Sequence, residues 1–294
     1  LCLAAATALP FLLAALLSGG APVAATESAR AGFVGSATCA SCHAAETAAW
    51  RQSDHARAMA AATPANVLGD FSGVTVTDGH HNGERFVIRT DGPGGTVADF
   101  PVSETFGADP LQQYLVLFPD GRRQPLPWAW DSRPRAEGGQ RWYHLMADTP
   151  LRAGDALHWT GRDQTWNFMC ASCHSTGLQR GYDAARDRYD TRWTEISVGC
   201  ESCHGPAAAH VAWAQAGARA DVAHRGLSVA LRDASGGAWR FAADDARGIA
   251  RWEGPPRQSS AAQIETCAPC HARARPIVAD PRGGGGGRRH AVRP

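Results

Sequence analysis

Short runs in which apolar and polar residues alternate are concentrated between residues 66 and 165. Examples lie at 74–76, 85–89 and 114–118. Alternation with a period of two is typical of a strand with one buried face, and turn-forming pairs such as Asn82-Gly83 and Asp120-Gly121 separate the runs. The pattern predicts an antiparallel β subdomain over 66–165.

Helical periodicity marks the segments around this β-rich region. Apolar residues three or four positions apart predict a helix over 44–59, an Ala-rich stretch predicts another over 207–220, and 259–265 favours a short one. Segments 181–199 and 227–254 contain turn signals and predict hairpins or loops. The expected fold class is therefore α+β and partly irregular, with short helices and an inserted antiparallel β subdomain.

The two ends of the chain have compositions of their own. Residues 1–25 run apolar as far as Leu17 and then reach small residues, which is the pattern of a secretory signal peptide. An uncleaved N-terminal anchor is the alternative for this segment. Residues 276–294 include five consecutive glycines and several arginines, and they predict a disordered tail. The segment between them, 26–275, is expected to form one domain.

One five-residue pattern occurs four times along the chain. It reads Cys39-Ala-Ser-Cys42-His43, Cys170-Ala-Ser-Cys173-His174, Cys200-Glu-Ser-Cys203-His204 and Cys267-Ala-Pro-Cys270-His271. Cys-x-x-Cys-His is the attachment pattern of c-type haem, in which both thiols form thioethers with the haem vinyl groups and the His binds the iron. Two intervening residues make about one helical turn, which places both sulfurs along one haem edge.

We therefore predict four covalently attached haems c. The attaching residues are Cys39, Cys42, Cys170, Cys173, Cys200, Cys203, Cys267 and Cys270, and the proximal iron ligands are His43, His174, His204 and His271. Zinc sites and thiol redox sites also use Cys pairs two residues apart, but neither chemistry requires a His after every second Cys. Eight of the nine cysteines lie in the motifs, and the ninth, Cys2, lies in the predicted signal peptide.

Charge and composition exclude two classes of function. The 294-residue chain has a formal net charge of +1 at pH 7, so no nucleic-acid partner is expected. All 29 basic residues are Arg, and the chain contains no Lys. Multihaem nitrite reductases that replace the proximal His by Lys are thereby excluded.

Four further histidines are candidates for the distal position on a haem iron. His55 lies twelve residues beyond His43 on the predicted 44–59 helix, where it is either a distal ligand or a surface residue. His210 lies six residues after His204, too near to reach the opposite face of the same haem easily, so it would serve another haem. His144 and His158 lie in aromatic settings before the second motif, and each is either a distal ligand or a buried core residue.

Several longer segments resemble the cytochrome c-552/c-554 family, and most nearly the haem portion of exported relatives that carry tetratricopeptide repeats after the haems. The segments are 33–36 with the first motif, 50–59 (WRQSDHARAM), 112–115, 140–145, 157–170 (LHWTGRDQTWNFMC) and 198–211 (VGCESCHGPAAAHV). In relatives, a His in a Ser-x-His position and a His after C-x-x-C-H-G-P are distal ligands, which the resemblance implies for His55 and His210. Relatives continue beyond the fourth motif, so the resemblance implies that a repeat portion is missing from this chain.

Three functions are compatible with these features. An iron with two His ligands has no open position and passes electrons, which favours a periplasmic tetrahaem carrier acting with periplasmic or membrane-bound redox proteins. An iron without a distal ligand would instead make the chain an oxidoreductase for a small nitrogen-oxide or peroxide substrate. The third function is a haem-bearing part of a repeat-containing scaffold. Export agrees with all three, because c-type haem is attached outside the cytoplasmic membrane.

Overall fold

The computed structural model describes residues 32–72, 75–78, 83–218, 221–231, 235–241, 249–257 and 261–272. The predicted signal peptide with Cys2 and the predicted tail over 276–294 lie outside these residues. Within the described ranges, no helix is both long enough and apolar enough to cross a membrane.

Short helices carry the four motifs. The α-helices of the described residues are α1 (Ser36–Ala40), α2 (Ala44–Arg51), α3 (Trp166–Met169), α4 (Ala171–His174), α5 (Cys200–His204), α6 (Ala208–Gln215) and α7 (Ala261–His271). Single 3-10 turns occur at Arg135–Glu137, Arg162–Gln164 and Ala223–Gly226. Isolated helices of this length are marginal in water, so packing against other segments must stabilise them.

Antiparallel strands form the remaining regular structure. They are β1 (Met59–Ala61), β2 (Thr75–Asp78), β3 (Gly83–Asp91), β4 (Val97–Pro101), β5 (Glu104–Phe106), β6 (Leu111–Leu117), β7 (Arg123–Asp131), β8 (Arg141–His144), β9 (Tyr182–Asp183), β10 (Arg188–Tyr189), β11 (Ala238–Phe241) and β12 (Ala250–Glu253). One sheet has the order β1-β5-β6-β7-β8, and a second has the order β2-β3-β4. The last four strands make two separate hairpins. The expected mixture of helix and antiparallel sheet is confirmed.

The five-stranded sheet separates two hydrophobic cores. Along β6, Tyr114 and Val116 face a core shared with the three-stranded sheet and its connections, whereas Leu115 faces the opposite side. Alternate residues of a strand point to opposite faces, so β6 is buried on both. The second core joins Leu115 and Met59 to Trp166 and Ala171. It therefore packs the second motif directly against the sheet.

The helix predicted over 44–59 is wrong beyond Arg51. After that residue the backbone turns, because the N–H groups of Gln52 and Ser53 bond to carbonyls three residues earlier and Ser53 Oγ accepts the N–H of Ala56. Met59 then pairs with Phe106, so the sheet begins earlier than the predicted position 66. His55 consequently lies on a turn and not on a helix.

The other predicted elements lie close to the expected positions. Helix α6 occupies the Ala-rich stretch, although it ends at Gln215 and not at 220. Helix α7 continues from the predicted 259–265 segment through the whole fourth motif. The hairpins β9-β10 and β11-β12 fall within the segments expected to turn.

Candidate functional site

Each Cys-x-x-Cys-His motif lies on a helical turn in the structure. In the first, the N–H groups of Cys42 and His43 both bond to the carbonyl of Cys39, at 3.1 and 2.9 Å. In the second, the N–H of Cys173 bonds to the carbonyl of Cys170 at 3.0 Å. This winding brings the two sulfurs of a motif to one side, as thioether attachment requires. All eight motif cysteines are free thiols.

The first and third motifs are in direct contact. Ser36 Oγ, at the start of α1, accepts the N–H of Cys200 at 3.0 Å. Burial together with the neighbouring Cys200 thiol raises the pKa of Cys39 to about 11. This thiol pair comes from motifs 161 positions apart in the chain, since the first begins at Cys39 and the third at Cys200.

The fourth motif lies near the third and contacts the second. Burial raises the pKa of Cys203, and the neighbouring Cys267 thiol adds to the effect. On the other side, the thiol of Cys173 lies 3.7 Å from the carbonyl oxygen of Pro269, inside the fourth motif. The motifs therefore follow one another in space in the order first, third, fourth, second.

Two of the motif histidines face a second histidine. The ring centres of His43 and His210 are 6.1 Å apart, with 30° between the ring planes. Those of His55 and His271 are 5.8 Å apart, with 84° between the planes. A motif histidine and a candidate distal histidine thus meet at the first and fourth motifs.

This spacing fits one iron between each pair of rings. A nitrogen–metal bond is about 2 Å long and an imidazole nitrogen lies about 1.2 Å from its ring centre, so two imidazoles on opposite sides of one metal have centres about 6 Å apart. Both observed separations are close to that distance. The residues present therefore fit a haem iron ligated by two His residues at the first and fourth motifs.

Hydrogen bonds orient His210. Its Nδ1 lies 2.9 Å from the carbonyl oxygen of Arg225, which can only accept, so Nδ1 must carry the proton. The unprotonated Nε2 is then the nitrogen that can bind a metal. Stacking on Trp213, with ring centres 5.6 Å apart, holds the ring further.

The turn that carries His55 is fixed to the segment before the third motif. The N–H of Val198 bonds to the carbonyl of His55 at 3.2 Å, and Trp50 Nε1 donates to the carbonyl of Val198 at 2.9 Å. These bonds reach across more than 140 residues of chain. They hold the turn on which His55 lies, and the His55 ring is next to that of His271.

Burial favours the neutral form of the motif histidines His174 and His204. Burial lowers the pKa of His174, whose ring packs edge-on against Phe106 at 4.6 Å. A hydrogen bond with the Ala58 backbone opposes this effect. Burial also lowers the pKa of His204, and the neighbouring His43 and His210 act in the same direction. Neutral imidazole is the form that ligates iron.

His158 is a buried residue whose ring contacts the β subdomain. It is 4% exposed, and its Nε2 and Nδ1 lie 2.9 Å from Asp91 Oδ2 and 2.8 Å from Thr160 Oγ1. Because both ring nitrogens have protein partners, these contacts favour the alternative of a buried core residue, and the role of His158 as a distal ligand stays a prediction. It joins the end of β3 to the segment after β8.

His144 lies at the end of β8. Its Nδ1 accepts the N–H of Met146 at 3.1 Å, and its ring packs edge-on against Trp128 with ring centres 5.0 Å apart. Its role as a distal ligand stays a prediction.

Two carboxylates were missed by the sequence reasoning. Glu201 and Glu195 lie where the first and third motifs meet, and both hydrogen-bond to the segment that leads into the first motif. A signal for Glu201 was present, because the third motif has Glu where the other three have Ala. No signal marked Glu195.

Two segments of the chain match the family model described as cytochrome c554 and c-prime, at residues 38–74 and 142–205. The matched segments contain the first three motifs and His55, His144 and His158. This match confirms the resemblance that the motifs indicated. No curated protein matches the chain.

Two solved structures are similar to parts of the chain. One is described as the outer cell wall cytochrome OcwA, with 19% identity and a TM-score of 0.40 over 63% of this chain and 34% of that one. The other is an undecahaem cytochrome from the S-layer of Carboxydothermus ferrireducens, with 22% identity and a TM-score of 0.37 over 62% of this chain and 22% of that one. The chain thus spans about a third and about a fifth of these two proteins.

Proposed function

We propose that this chain, which belongs with the multihaem c-type cytochromes, is an exported electron carrier with four covalently attached haems. The family match and the four motifs support haem c as the cofactor. Once bound, haem iron supplies the one-electron chemistry. The protein supplies the attachment, the axial ligands and the arrangement of the sites.

The observation that carries this proposal is the pairing of histidines. His210 faces His43 and His55 faces His271, each pair at the separation that one iron requires. An iron that has a His ligand on each side of the haem has no open position for a substrate. Such a haem transfers electrons without binding the electron donor. We therefore propose His210 and His55 as distal ligands.

The contacts between motifs support an order for the relay. The first motif touches the third, the third lies near the fourth, and the fourth touches the second. We propose that electrons move along this order, which differs from the order in the sequence. The first and second motifs are then the two ends at which partners exchange electrons.

The proposed partners are redox proteins outside the cytoplasmic membrane, where c-type haem is attached. A periplasmic location follows from the same argument and from the apolar N-terminal sequence. A nucleic-acid partner is not proposed, given the net charge of +1.

The test is electron paramagnetic resonance on protein matured in a host with haem c assembly, together with a haem count. We expect four haems and low-spin signals that nitric oxide and hydroxylamine leave unchanged. His210→Ala and His55→Ala should each convert one low-spin haem to a high-spin, ligand-binding form, because each removes one axial nitrogen. His224→Ala is the matched control, since His224 is exposed on a turn.

Two results would contradict the proposal. Distal variants that retain all four low-spin signals would show that neither histidine is an iron ligand. A wild-type high-spin component that shifts on adding nitric oxide or hydroxylamine would reveal an open iron and favour the oxidoreductase.

A further inference from the structure

The side chain of Glu201, between the two cysteines of the third motif, is buried against the segment before the first motif. The residue is 2% exposed. Its Oε2 accepts the N–H of Gly35 at 2.7 Å, and its two oxygens share the N–H of Val34 at 3.0 and 3.1 Å. Its Oε1 also accepts the N–H of Ala207 at 2.9 Å. One carboxylate thus joins the chain before the first motif to the chain after the third.

A second carboxylate spans the same contact. Ser36 Oγ donates to Glu195 Oε2 at 2.8 Å and accepts the N–H of Cys200 at 3.0 Å. A β-carbon on Gly199 would collide with the Glu195 carboxylate and the Ser36 hydroxyl, so both side chains would have to shift to admit a larger residue. Polar bonds and close packing therefore join the first and third motifs.

Resting on the electron-transfer function proposed above, we propose that Glu201 is a positioning residue that fixes the separation of the first and third attachment motifs. All the hydrogen bonds it accepts come from backbone N–H groups, which cannot change rotamer to follow a displaced partner. Hydrogen bonds to a charged acceptor are about twice as strong as neutral ones. Electron exchange between two centres falls steeply with their separation, so this link controls the first step of the relay.

The variant that tests the proposal is Glu201→Gln. Both oxygens of Glu201 accept N–H groups, so the amide nitrogen of Gln must face a donor whichever way it is turned. The change preserves volume and breaks the link. Glu46→Gln is the matched control, because Glu46 is exposed three residues beyond His43 and the variant removes one negative charge near the same motif.

Two properties of the holoprotein are measured. One is the magnetic interaction between neighbouring low-spin haems in the oxidised protein. The other is the rate at which electrons redistribute among the haems after a rapid partial reduction. His210→Ala identifies the signals of the first haem, because it removes the distal ligand that we propose for that haem. We expect Glu201→Gln to keep four haems in low-spin form, to lose the interaction between the first and third haems, and to slow internal equilibration. Glu46→Gln should match the wild type in all these properties.

An unchanged interaction and an unchanged internal rate in Glu201→Gln, with four haems present, would overturn the proposal. So would the same change in Glu46→Gln, since charge alone would then explain it. If Glu201→Gln does not mature, Glu201→Asp carries the test, because a carboxylate one methylene shorter cannot reach the N–H groups of both Gly35 and Ala207. A matured Glu201→Asp with an unaltered interaction overturns the proposal too. A wild-type protein whose haems are high-spin would instead refute the electron-carrier function.

Discussion

Asn167 is fully buried three residues before Cys170, and three segments of the chain meet at its amide. Its Oδ1 accepts the N–H of Arg123 at 2.7 Å. Its Nδ2 donates to the carbonyl of Gly121 at 3.1 Å and to Thr191 Oγ1 at 2.7 Å. The side chain therefore fastens β7 and the segment after β10 to the helix that leads into the second motif.

Replacing Asn167 by Ala removes all three bonds. A net contribution of about 1 kcal/mol for each bond gives a loss of roughly 3 kcal/mol, since the three partner groups are part-buried and Asn167 itself is fully buried. For a domain of this size such a loss corresponds to a fall in Tm of roughly 6–12 °C. The matched control is Asn66→Ala, which removes one bond to the carbonyl of Ala61 and should cost about 1 kcal/mol or less.

The assay is thermal or urea unfolding of the holoprotein, followed by tryptophan fluorescence and haem absorbance. The haem count should stay at four in both variants, because Asn167 lies outside the motif itself. A cost for Asn167→Ala no larger than that for Asn66→Ala would refute the reasoning. It would show that the β subdomain does not depend on this amide for its attachment to the second motif.

Two further predictions concern acid stability and close packing. Hydrogen bonds from Arg133 lower the pKa of Asp131 to about 2, so the stability that this carboxylate contributes is present above a pH of about 4 and is lost as the pH falls toward 2. Asp131→Asn should therefore flatten the decline of Tm over that interval, and an unchanged decline would contradict the assignment. Gly199→Ala should lower the unfolding free energy by about 1–3 kcal/mol, because its β-carbon would collide with the Glu195 carboxylate. Gly94→Ala, with open space at that position, should cost much less, and equal costs in urea unfolding would argue against the close approach.

Regular local patterns in the sequence predicted most of the sheet and most of the helices. Strands β3, β6 and β7 lie inside the β-rich segment, where alternation and turn pairs are both local properties. Strand β1 was missed because it has three residues and pairs with β5, about 45 positions away. The break after Arg51 was also missed, since the apolar spacing continues past it and a serine side chain decides the turn.

The residues of the candidate site also fall into two groups, those that local sequence predicts and those that depend on distant partners. Attachment residues form contiguous motifs, so their chemistry can be predicted from spacing alone. A distal ligand is defined by a partner far away in the chain, and sequence cannot tell which histidine meets which motif. His158 shows the difficulty. Its aromatic neighbours in the sequence suit an iron ligand and a buried core residue equally well, whereas its contact with Asp91, 67 positions earlier, is visible only in the structure.

Two separate sets of contacts hold the motifs in place, and a variant that removes one set should leave the other intact. The first and third motifs are joined to each other through Glu201, Glu195 and Ser36. The second motif is joined to the β subdomain through Asn167, and the sulfur of Cys173 lies against Pro269 of the fourth motif. A variant at Glu201 should therefore change the interaction between haems more than the stability of the sheet, whereas a variant at Asn167 should do the reverse. Measuring both properties in both variants distinguishes a haem core that is arranged by its own contacts from one that takes its arrangement from the sheet.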